Sequence, residues 1–591
     1  MKTISKENKN LLLKFILSAI LVKIIIELFE LKNNSVYVVI VVSIIMFLID
    51  RVIKNKKYLK NKTEFILLTL YGFIISMVII IQNKITFNGE VGLSYLENTF
   101  SSFEMIDIIK FLTIFISVLL VVWNLGIWFK KTKFSIFNTI HKEKNTTKSI
   151  IKYWCVFSIF IAVPWLLYLL TYAPGAVLGD SLMSITQGWG EVPLTNHHPV
   201  LYSMFVGVFM RIGRLFNNNN IGIMMYSTVQ LLIMSGIVGY FLVWLLKHEV
   251  KLNYILLTYL FFVANTLFAS YAIIMWKDPL FCGFVFLMTL FIFDIISQDG
   301  EPLKNFYGIF KFVVLSILIA FFRNNGIYIV IGMYIAMLIW SKRNLLVFNI
   351  VNTITVIAII IIQGPIYNKL GIVSPTEEAL AIPLQQVART ITYNGNVTKE
   401  QEEFLSQILP MEKWKSKYEP CVVDSIKWDS KFNKDFLTEN KGEFLKIWAQ
   451  MLPSNFKEYV KAYLMDTYGF WSIETKNKYG FVDTYITANN FGIERRDCIK
   501  ILTGRSIENL FAKPDFLGSG TLWWIIILTI ILLIINKKPK YIFVLLPCII
   551  SWISIMVATP VAFSLRYVFM MAYSLPLIIM LPFITKNIEN K

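Results

Sequence analysis

The stretch TYAPGAVLGDSLMSITQGWGEVPLTNHHPVLYS, residues 171–203, decides how the chain is interpreted. It lies between two apolar segments and gathers the carboxylates of Asp180 and Glu191, the adjacent histidines His197 and His198, and several glycine and proline residues. Ionisable groups beside membrane segments are costly unless they are paired or functional. We therefore interpret this stretch as the catalytic loop of a membrane enzyme.

The composition indicates a polytopic membrane protein. Of 591 residues 56% are hydrophobic, the mean hydropathy is +0.61, and stretches of about 20 apolar residues recur. The first, residues 11–29, lacks a small-residue cleavage site after it and is expected to remain as a span. The net charge of +19 reflects lysines in short loops between spans. The expected partners are therefore membrane lipids, and no nucleic acid.

Fourteen apolar segments predict an all-α fold with about 14 transmembrane helices. They lie near residues 11–30, 35–53, 64–83, 106–129, 150–173, 221–246, 252–275, 278–297, 307–323, 325–341, 345–363, 521–536, 540–558 and 565–585. One further stretch, Pro199 to Phe216, carries Arg211 and Arg214 and is at the lower length limit for a span. Whether it crosses decides the orientation of everything downstream.

The distribution of basic residues settles this orientation, because Lys and Arg accumulate in cytoplasmic loops. With the N-terminus inside, the basic loops at 51–62 and 130–148 lie inside. If 199–216 does not cross, the basic loops at 247–251, 341–343 and 536–540 and the C-terminus lie inside as well. We therefore predict an amphipathic or re-entrant helix on the outer surface of the plasma membrane, with Arg211 and Arg214 at headgroup level.

This topology places five polar features on the outer face, where we expect one active-site cleft. They are the 174–198 loop, Trp276 to Asp278, Arg323 to Gly326, residues 364–520, and the Thr559 to Arg566 turn. The predicted domains are a four-span extension (1–149), a seven-span catalytic module with outer loop 174–220 (150–363), a mainly helical extracytoplasmic domain (364–520) and a three-span segment (521–591).

Residues 364–520, which we call the polar insert, show helical periodicity. Helices are predicted over 377–392, over 399–409 with Thr398 as cap, and over 441–465 with a break at Pro453. Cys421 and Cys498 could pair if this face is oxidising, but spacing alone cannot establish the geometry.

Asp180 and the histidines are the candidate catalytic groups of the loop. Asp180 could act as general base on an acceptor or hold a metal; its structural alternative is a helix N-cap. His197 and His198 could bind phosphate or a metal, or be interfacial histidines satisfied by water. Gln187 is expected to contact substrate. A divalent metal is therefore an open possibility.

The basic candidates are Lys277, Arg323, Arg389 and Arg566. Lys277 and Asp278 begin a span. The simpler interpretation is that the Lys277 side chain extends to the membrane surface and that Asp278 is favoured by the helix dipole in the first turn. Arginine on the outer face opposes the usual bias, so we expect a phosphate headgroup to hold these guanidinium groups, unless each pairs with an acidic neighbour. Tyr567 follows Arg566 in this candidate binding site. No nucleotide-binding or hydrolase motif occurs in a supporting context, so a substrate would be delivered by lipid.

These features resemble the C-type (GT-C) integral-membrane glycosyltransferases, which use polyprenyl-phosphate-linked sugars. The resemblance rests on Gly179-Asp180-Ser181, His198-Pro199-Val200-Leu201-Tyr202 and Lys277-Asp278-Pro279-Leu280, and seven spans from residue 150 precede the polar insert. The chain also looks similar to a group of bacterial multi-pass proteins of this superfamily that share WKDPLF, FFRNNG, IPLQQVAR and SLRY segments. It departs from the family pattern by lacking a tandem Asp-Glu in the first loop.

The resemblance implies a transferase that moves a sugar from a polyprenyl-phosphate donor to an extracytoplasmic glycan, lipid or protein acceptor. Asp180 would be the base, Asp278 a supporting acid, and Arg323, Arg389 or Arg566 the clamp for the lipid phosphate. Two alternatives stay open: an O-antigen-ligase-like polymer ligase or polymerase, which would depend on His197 and the arginines, and a flippase for lipid-linked saccharides, which would be expected to show internal repeats.

Overall fold

The computed structural model describes residues 6–28, 35–87, 99–131, 147–341, 345–473, 484–558 and 561–588. Within these ranges the protein is helical almost throughout, and its one sheet pairs Ile85–Thr86 (β1) with Thr99–Phe100 (β2) in antiparallel fashion. Helices prevail despite many Ile and Val residues because a segment in lipid must satisfy its backbone groups internally. The prediction of a helical, multi-pass membrane protein is confirmed.

The helices before the polar insert are long. They are α1 (Lys6–Leu28), α2 (Ser35–Asn55), α3 (Lys62–Asn83), α4 (Met105–Lys131), α5 (Thr147–Thr171), α6 (Gly179–Trp189), α7 (Val200–Leu215), α8 (Asn219–Lys247), α9 (Leu252–Ala264), α10 (Thr266–Ile273), α11 (Lys277–Ser297), α12 (Phe306–Phe322), α13 (Gly326–Ser341) and α14 (Leu346–Ile361).

The helices of the polar insert are shorter, and three apolar helices follow it. The insert contains α15 (Tyr367–Lys369), α16 (Thr376–Ala379), α17 (Ala381–Thr392), α18 (Lys399–Ile408), α19 (Met411–Lys417), α20 (Asp424–Lys427), α21 (Lys434–Glu439), α22 (Lys441–Met451), α23 (Phe456–Asp466), α24 (Tyr468–Trp471) and α25 (Cys498–Thr503). The last three are α26 (Ser519–Ile535), α27 (Leu546–Val557) and α28 (Phe569–Ile588).

Fewer than fourteen of the described helices are long and apolar enough to cross a membrane. Among the described residues eight segments are long and apolar enough to cross a membrane, formed by α3, α4, α5, α8, α11, α14, α27 and α28 with their helical extensions. The bent pair α9 and α10 would make nine, and α12, α13 and α26 are apolar but have only 16 or 17 residues. The predicted count of fourteen is therefore not confirmed.

Three helices form the centre of the bundle. In α8, α11 and α28, 67%, 78% and 83% of the apolar window is buried, against 22% in α4 and 28% in α5. The N-terminal helices pack on the C-terminal segment, where the Tyr71 hydroxyl donates to the Trp524 carbonyl (3.0 Å). The polar residues of the site are consequently fixed by the most enclosed helices.

One predicted span, 252–275, is broken. Its two halves, α9 and α10, meet at 60°, and the Asn265 side chain accepts from the Leu267 amide (2.9 Å) to start the second half. An extended segment follows α10 and leads into α11. This break brings the start of α11 back toward the loop before α6.

The segment predicted to lie on the surface, 199–216, forms α7 and does not run through the bundle. Its contacts with α8, Gly213 on Gly222 and Tyr202 on Tyr226, fall in the first two turns of α8. It packs closely on α6, where a Cβ on Gly188 would lie 2.6 Å from the Cα of Gly207. The α6–α7 pair therefore lies across one end of the bundle, in agreement with the amphipathic helix predicted there.

The polar insert has its own apolar core, formed by residues such as Leu384, Trp414 and Phe444. The predicted helices are confirmed with small changes: Thr398 caps α18 through a capping box, and the break near Pro453 separates α22 from α23. Cys421 is fully buried and Cys498 is partly exposed, and the two form no disulfide with each other.

Candidate active site

Asp180 lies in the first turn of α6, at the end of the bundle where α5 finishes. The Ser181 hydroxyl accepts from the Leu178 amide (3.1 Å) and donates to the Met275 carbonyl (2.6 Å), which anchors this turn. Leu178 occupies the N-cap position, so Asp180 is not the cap that the alternative interpretation required. Its carboxylate is left for other partners.

Lys277 and Asp278 begin α11, directly beside this turn. A parallel bridge joins Ala176 to Ile274 and holds the extended segment before α11 against the loop before α6. The buried Gln230 of α8 supports the same segment, since its Nε2 donates to the Ile274 carbonyl (2.7 Å). Two segments far apart in sequence therefore present Asp180 and Asp278 at one place.

Charges alternate across the site in the order Asp180, Arg566, Asp278, Arg323. Arg566 Nη2 donates to Asp180 Oδ2 at 2.7 Å, and Arg566 Nε lies 3.5 Å from Asp278 Oδ2. Arg323 Nη1 lies 2.8 Å from Asp278 Oδ1. Four of the predicted site residues, from four different segments, thus form one continuous ion-pair chain.

Aromatic rings hold the two guanidinium groups in position. Arg566 lies 4.5 Å from the ring of Trp276, and Arg323 lies 5.1 Å from the ring of Tyr567. The Tyr567 carbonyl also accepts from Arg323 Nη1 (3.4 Å). Cation–π contacts of this kind stabilise a desolvated arginine, so Tyr567 supports the site by orienting Arg323.

The two carboxylates differ in accessibility. The side chain of Asp278 is fully buried, whereas that of Asp180 keeps 40% of its surface exposed. Neither oxygen of Asp278 makes a well-aligned hydrogen bond in the described part of the chain; its contact with Arg323 is an ion pair, because Coulomb attraction depends on distance more than on N–H direction. Asp278 is therefore an internal counter-ion, and Asp180 is the carboxylate that a ligand can reach.

Lys277 and the two histidines border Asp180. Lys277 Nζ lies 3.5 Å from the His197 carbonyl oxygen, and the rings of His197 and His198 meet edge to face at 4.7 Å. His198 is buried. The site contains three cations, Lys277, Arg323 and Arg566. It contains two carboxylates, those of Asp180 and Asp278, so one net positive charge remains when the histidines are neutral.

The electrostatics of this corner follow from burial and from those cations. Partial desolvation raises the pKa of Asp180, but the charges of Arg566 and Lys277 outweigh this effect and hold the pKa well below its usual value. Burial lowers the pKa of His198, and Lys277 lowers it further, to about 2. The same two causes lower the pKa of His197. At neutral pH Asp180 is ionised and both imidazoles are neutral.

The polar insert closes one side of the site with residues that the sequence analysis did not single out. Glu378 Oε1 lies 4.0 Å from His197 Nδ1, and Glu378 Oε2 accepts from the buried Lys427 (2.8 Å). The ring of Trp428 lies 5.8 Å from that of His197. The only signal in the sequence was weak: an Ile-Lys-Trp-Asp run in an otherwise helical region.

The other polar features predicted for this face also meet here. The Asn196 side chain donates to the Ser374 hydroxyl (2.9 Å), and Asn324 donates to the Asn196 carbonyl. Val177 pairs with Ile486 of the insert. The 174–198 loop thus contacts both the turn after α12 and the polar insert, so the five features do converge.

Two predicted site residues have partners elsewhere. Gln187 joins α6 to α7 through Ser203 (3.0 Å) and Thr195 (2.8 Å). Arg389 is buried inside the polar insert, where its Nε donates to Glu458 (2.9 Å) and its Nη1 to the Tyr418 hydroxyl (3.2 Å). The structure gives both a structural role.

Glu191 does not join Asp180 as a second carboxylate. It forms an ion pair with Arg214 of α7, whose guanidinium lies 3.6 Å from the ring of Trp189. Among the described residues no three His, Cys, Asp or Glu side chains gather as metal ligands. Arg566 lies between the carboxylates of Asp180 and Asp278, so their arrangement does not fit a divalent cation.

Fold and site together define a multi-pass helical membrane protein with a cationic cluster at one end of its bundle. Residues 189–590 match a family described as a family of unknown function (DUF6020), and the chain belongs to that family. The match includes Asp278, Arg323 and Arg566 and begins after Asp180. No curated protein and no solved structure matches the chain.

Proposed function

We propose that this protein is a membrane glycosyltransferase that moves a sugar from a polyprenyl-phosphate lipid to an acceptor outside the plasma membrane. The observation that carries the proposal is the net positive cluster of Lys277, Arg323 and Arg566 beside the accessible carboxylate of Asp180. Cations stabilise a departing phosphate, and a carboxylate can accept the proton of an attacking hydroxyl. Both requirements are met by side chains at one end of the bundle.

The proposed reaction is a displacement at the anomeric carbon of the donor sugar. The acceptor oxygen forms a bond to that carbon while its proton passes to Asp180, and the bond from the carbon to the phosphate oxygen breaks. The lipid phosphate leaves with the bonding electrons. Arg566, Lys277 and Arg323 offset the negative charge that develops on it.

The Asp180–Arg566 ion pair couples donor binding to activation of the base. In the unliganded protein Arg566 neutralises Asp180 and makes it a weak proton acceptor, since its pKa is lowered. A donor phosphate competes for the same guanidinium. When Arg566 turns to the phosphate, the pKa of Asp180 rises, because a main stabiliser of its charge is lost.

The orientation that we propose places both termini in the cytoplasm and the polar insert outside. Supporting it, the basic loop at 51–62 and the lysines Lys130 and Lys586 lie at the bundle end opposite Asp180, as the distribution of Lys and Arg in membrane proteins leads us to expect. The insert would then border the acceptor side of the site, through Glu378 and Trp428.

The test is sugar transfer by the purified protein in lipid nanodiscs, with a panel of synthetic short-chain polyprenyl-phosphate hexoses as donors and an envelope extract as acceptor. Transfer or hydrolysis should release polyprenyl phosphate and should disappear in Asp180→Asn. Glu191→Gln, which removes a carboxylate of the same loop paired with Arg214, is the matched control and should remain active. Activity in Asp180→Asn with loss in His197→Gln would favour the ligase alternative instead.

A further inference from the structure

A groove at the other end of the bundle has no part in the chemistry proposed above. It has a volume of about 560 Å³ and lies between α5, α8, α11 and α12. Its walls are apolar and include Trp154, Leu232, Gly236 and Leu287, and among the described residues that line it Lys311 is the one with a charged side chain. Two wall residues, Trp154 and Leu232, are exposed on the outside of the bundle, so the groove opens toward the bilayer.

Lys311 has no carboxylate partner in an ion pair within the described ranges of the chain. Its Nζ donates to the Tyr240 hydroxyl (3.2 Å) and lies 4.5 Å from the ring of Phe291. Asp294 attracts it from a distance, but Asp294 Oδ1 already accepts from Trp244 Nε1 (2.9 Å). A positive charge among apolar walls in a membrane is expensive unless a counter-ion is present, and the described residues supply none in contact with Lys311.

The depth of Lys311 matches that of a lipid headgroup. Its helix, α12, begins at Phe306, so Lys311 lies about 8 Å along the axis, at a rise of about 1.5 Å per residue. Lys311 contacts Tyr240, about two turns before the end of α8, so it lies in the half of the bundle opposite Asp180. A lysine within two turns of a helix end can reach the phosphate level of a bilayer.

We propose that this groove is a binding site for one anionic phospholipid, with an acyl chain between α5, α8 and α11 and the headgroup phosphate on Lys311. The apolar walls exclude a soluble anion, and the single cation distinguishes an anionic lipid from a zwitterionic one. Gly236 leaves the space for the chain: a Cβ there would meet only the Trp154 ring, at 3.8 Å. The site is independent of the glycosyltransferase proposal.

The test uses the delipidated full-length protein in detergent, titrated with dioleoyl phosphatidylglycerol or dioleoyl phosphatidylcholine. Bound lipid is counted by native mass spectrometry, and the melting temperature is followed in parallel. We expect one phosphatidylglycerol to bind at least about ten-fold more tightly than phosphatidylcholine, because the choline cation repels Lys311 and offsets the attraction of the phosphate that both lipids carry.

Three variants separate the parts of the site. Lys311→Met should abolish the preference for phosphatidylglycerol but keep weak binding of both lipids, and Gly236→Leu should fill the groove and weaken both. Lys304→Met is the control, because Lys304 is an exposed lysine at the same end that pairs with Glu301. Equal binding of the two lipids by the unmodified protein, or an unchanged preference in Lys311→Met, would overturn the proposal. A dimer contact or a prenyl chain found in the groove would also overturn the proposal.

Discussion

Arg566 donates a hydrogen bond to Asp180 across 2.7 Å, although 386 residues separate the two in sequence. The contact joins the start of α6 to the last apolar segment of the chain. The charges of Asp180 and Arg566 neutralise each other, and one further cation, Lys277, lies nearby. The behaviour of this pair, and of the charges around it, leads to the following expectations.

Asp180→Asn should reduce sugar transfer by about 10²–10⁴-fold, the range that removal of a general base commonly produces. The variant keeps the size of the side chain and can still accept from Arg566, so the melting temperature should change little. Transfer is measured as release of polyprenyl phosphate. Wild-type rates in Asp180→Asn would remove this residue from the mechanism.

Arg566→Lys should raise the KM for the lipid donor by about ten-fold or more, because lysine keeps the charge but loses the two-pronged contact with phosphate. Arg389→Met is its matched comparison. That substitution breaks the contacts with Glu458 and Tyr418 and should lower the stability of the polar insert without a change in donor KM. An effect of Arg389→Met on donor KM alone would restore the original prediction that Arg389 clamps the phosphate.

Arg323→Met should destabilise the protein by about 3–5 kcal/mol, because Asp278 would remain as a buried charge with its shorter ion pair removed. The double variant Arg323→Met, Asp278→Leu should recover part of that loss. Thermal melting in detergent at fixed lipid content measures both. Equal melting temperatures for the single and double variants would show that Asp278 does not depend on Arg323.

Lowering the pH from 7.5 to 5.5 should lower the melting temperature through His198. The folded protein keeps this histidine neutral, with a pKa of about 2, whereas the unfolded chain takes up a proton near pH 6.5. Below pH 6.5 the unfolded state therefore binds more protons, and the free energy of unfolding falls, by about 1.4 kcal/mol at pH 5.5.

His198→Gln should remove that contribution, so its melting temperature should depend less on pH than that of the unmodified protein. Comparison at pH 7.5 separates any loss of packing from the loss of pH dependence. An identical slope in the two proteins would mean that His198 is protonated in the folded state.

Cys498 should react with a membrane-impermeant maleimide on intact cells, while Cys421 should react only after denaturation. Cys498 is partly exposed and Cys421 is fully buried, and neither forms a disulfide. Labelling lost in Cys498→Ser identifies the site of reaction. Protection of Cys498 in intact cells and labelling after permeabilisation would place the polar insert in the cytoplasm and contradict the proposed orientation.

Local patterns in the sequence were sufficient for much of the fold. Apolar length predicted most of the helices, the Thr398 cap and the break at Pro453 appeared where expected, and the stretch 199–216 forms a helix of 16 residues, Val200–Leu215. These features depend on residues that are close together in sequence. Their hydrogen bonds and their hydrophobic periodicity can therefore be predicted from the sequence. The number of spans was less predictable, because α9 and α10 bend at Asn265 and α12, α13 and α26 are short.

The sequence alone also predicted which segments meet, because the distribution of Lys and Arg assigns the polar loops to one end of the bundle. Only the tertiary structure decided which side chains of these segments pair with each other. Arg566 pairs with Asp180 while Arg389 turns to Glu458, Gln187 is used between α6 and α7, and Cys421 stays apart from Cys498. An ion pair depends on ångström-scale distances between segments hundreds of residues apart, and those distances arise only when the apolar helices have packed.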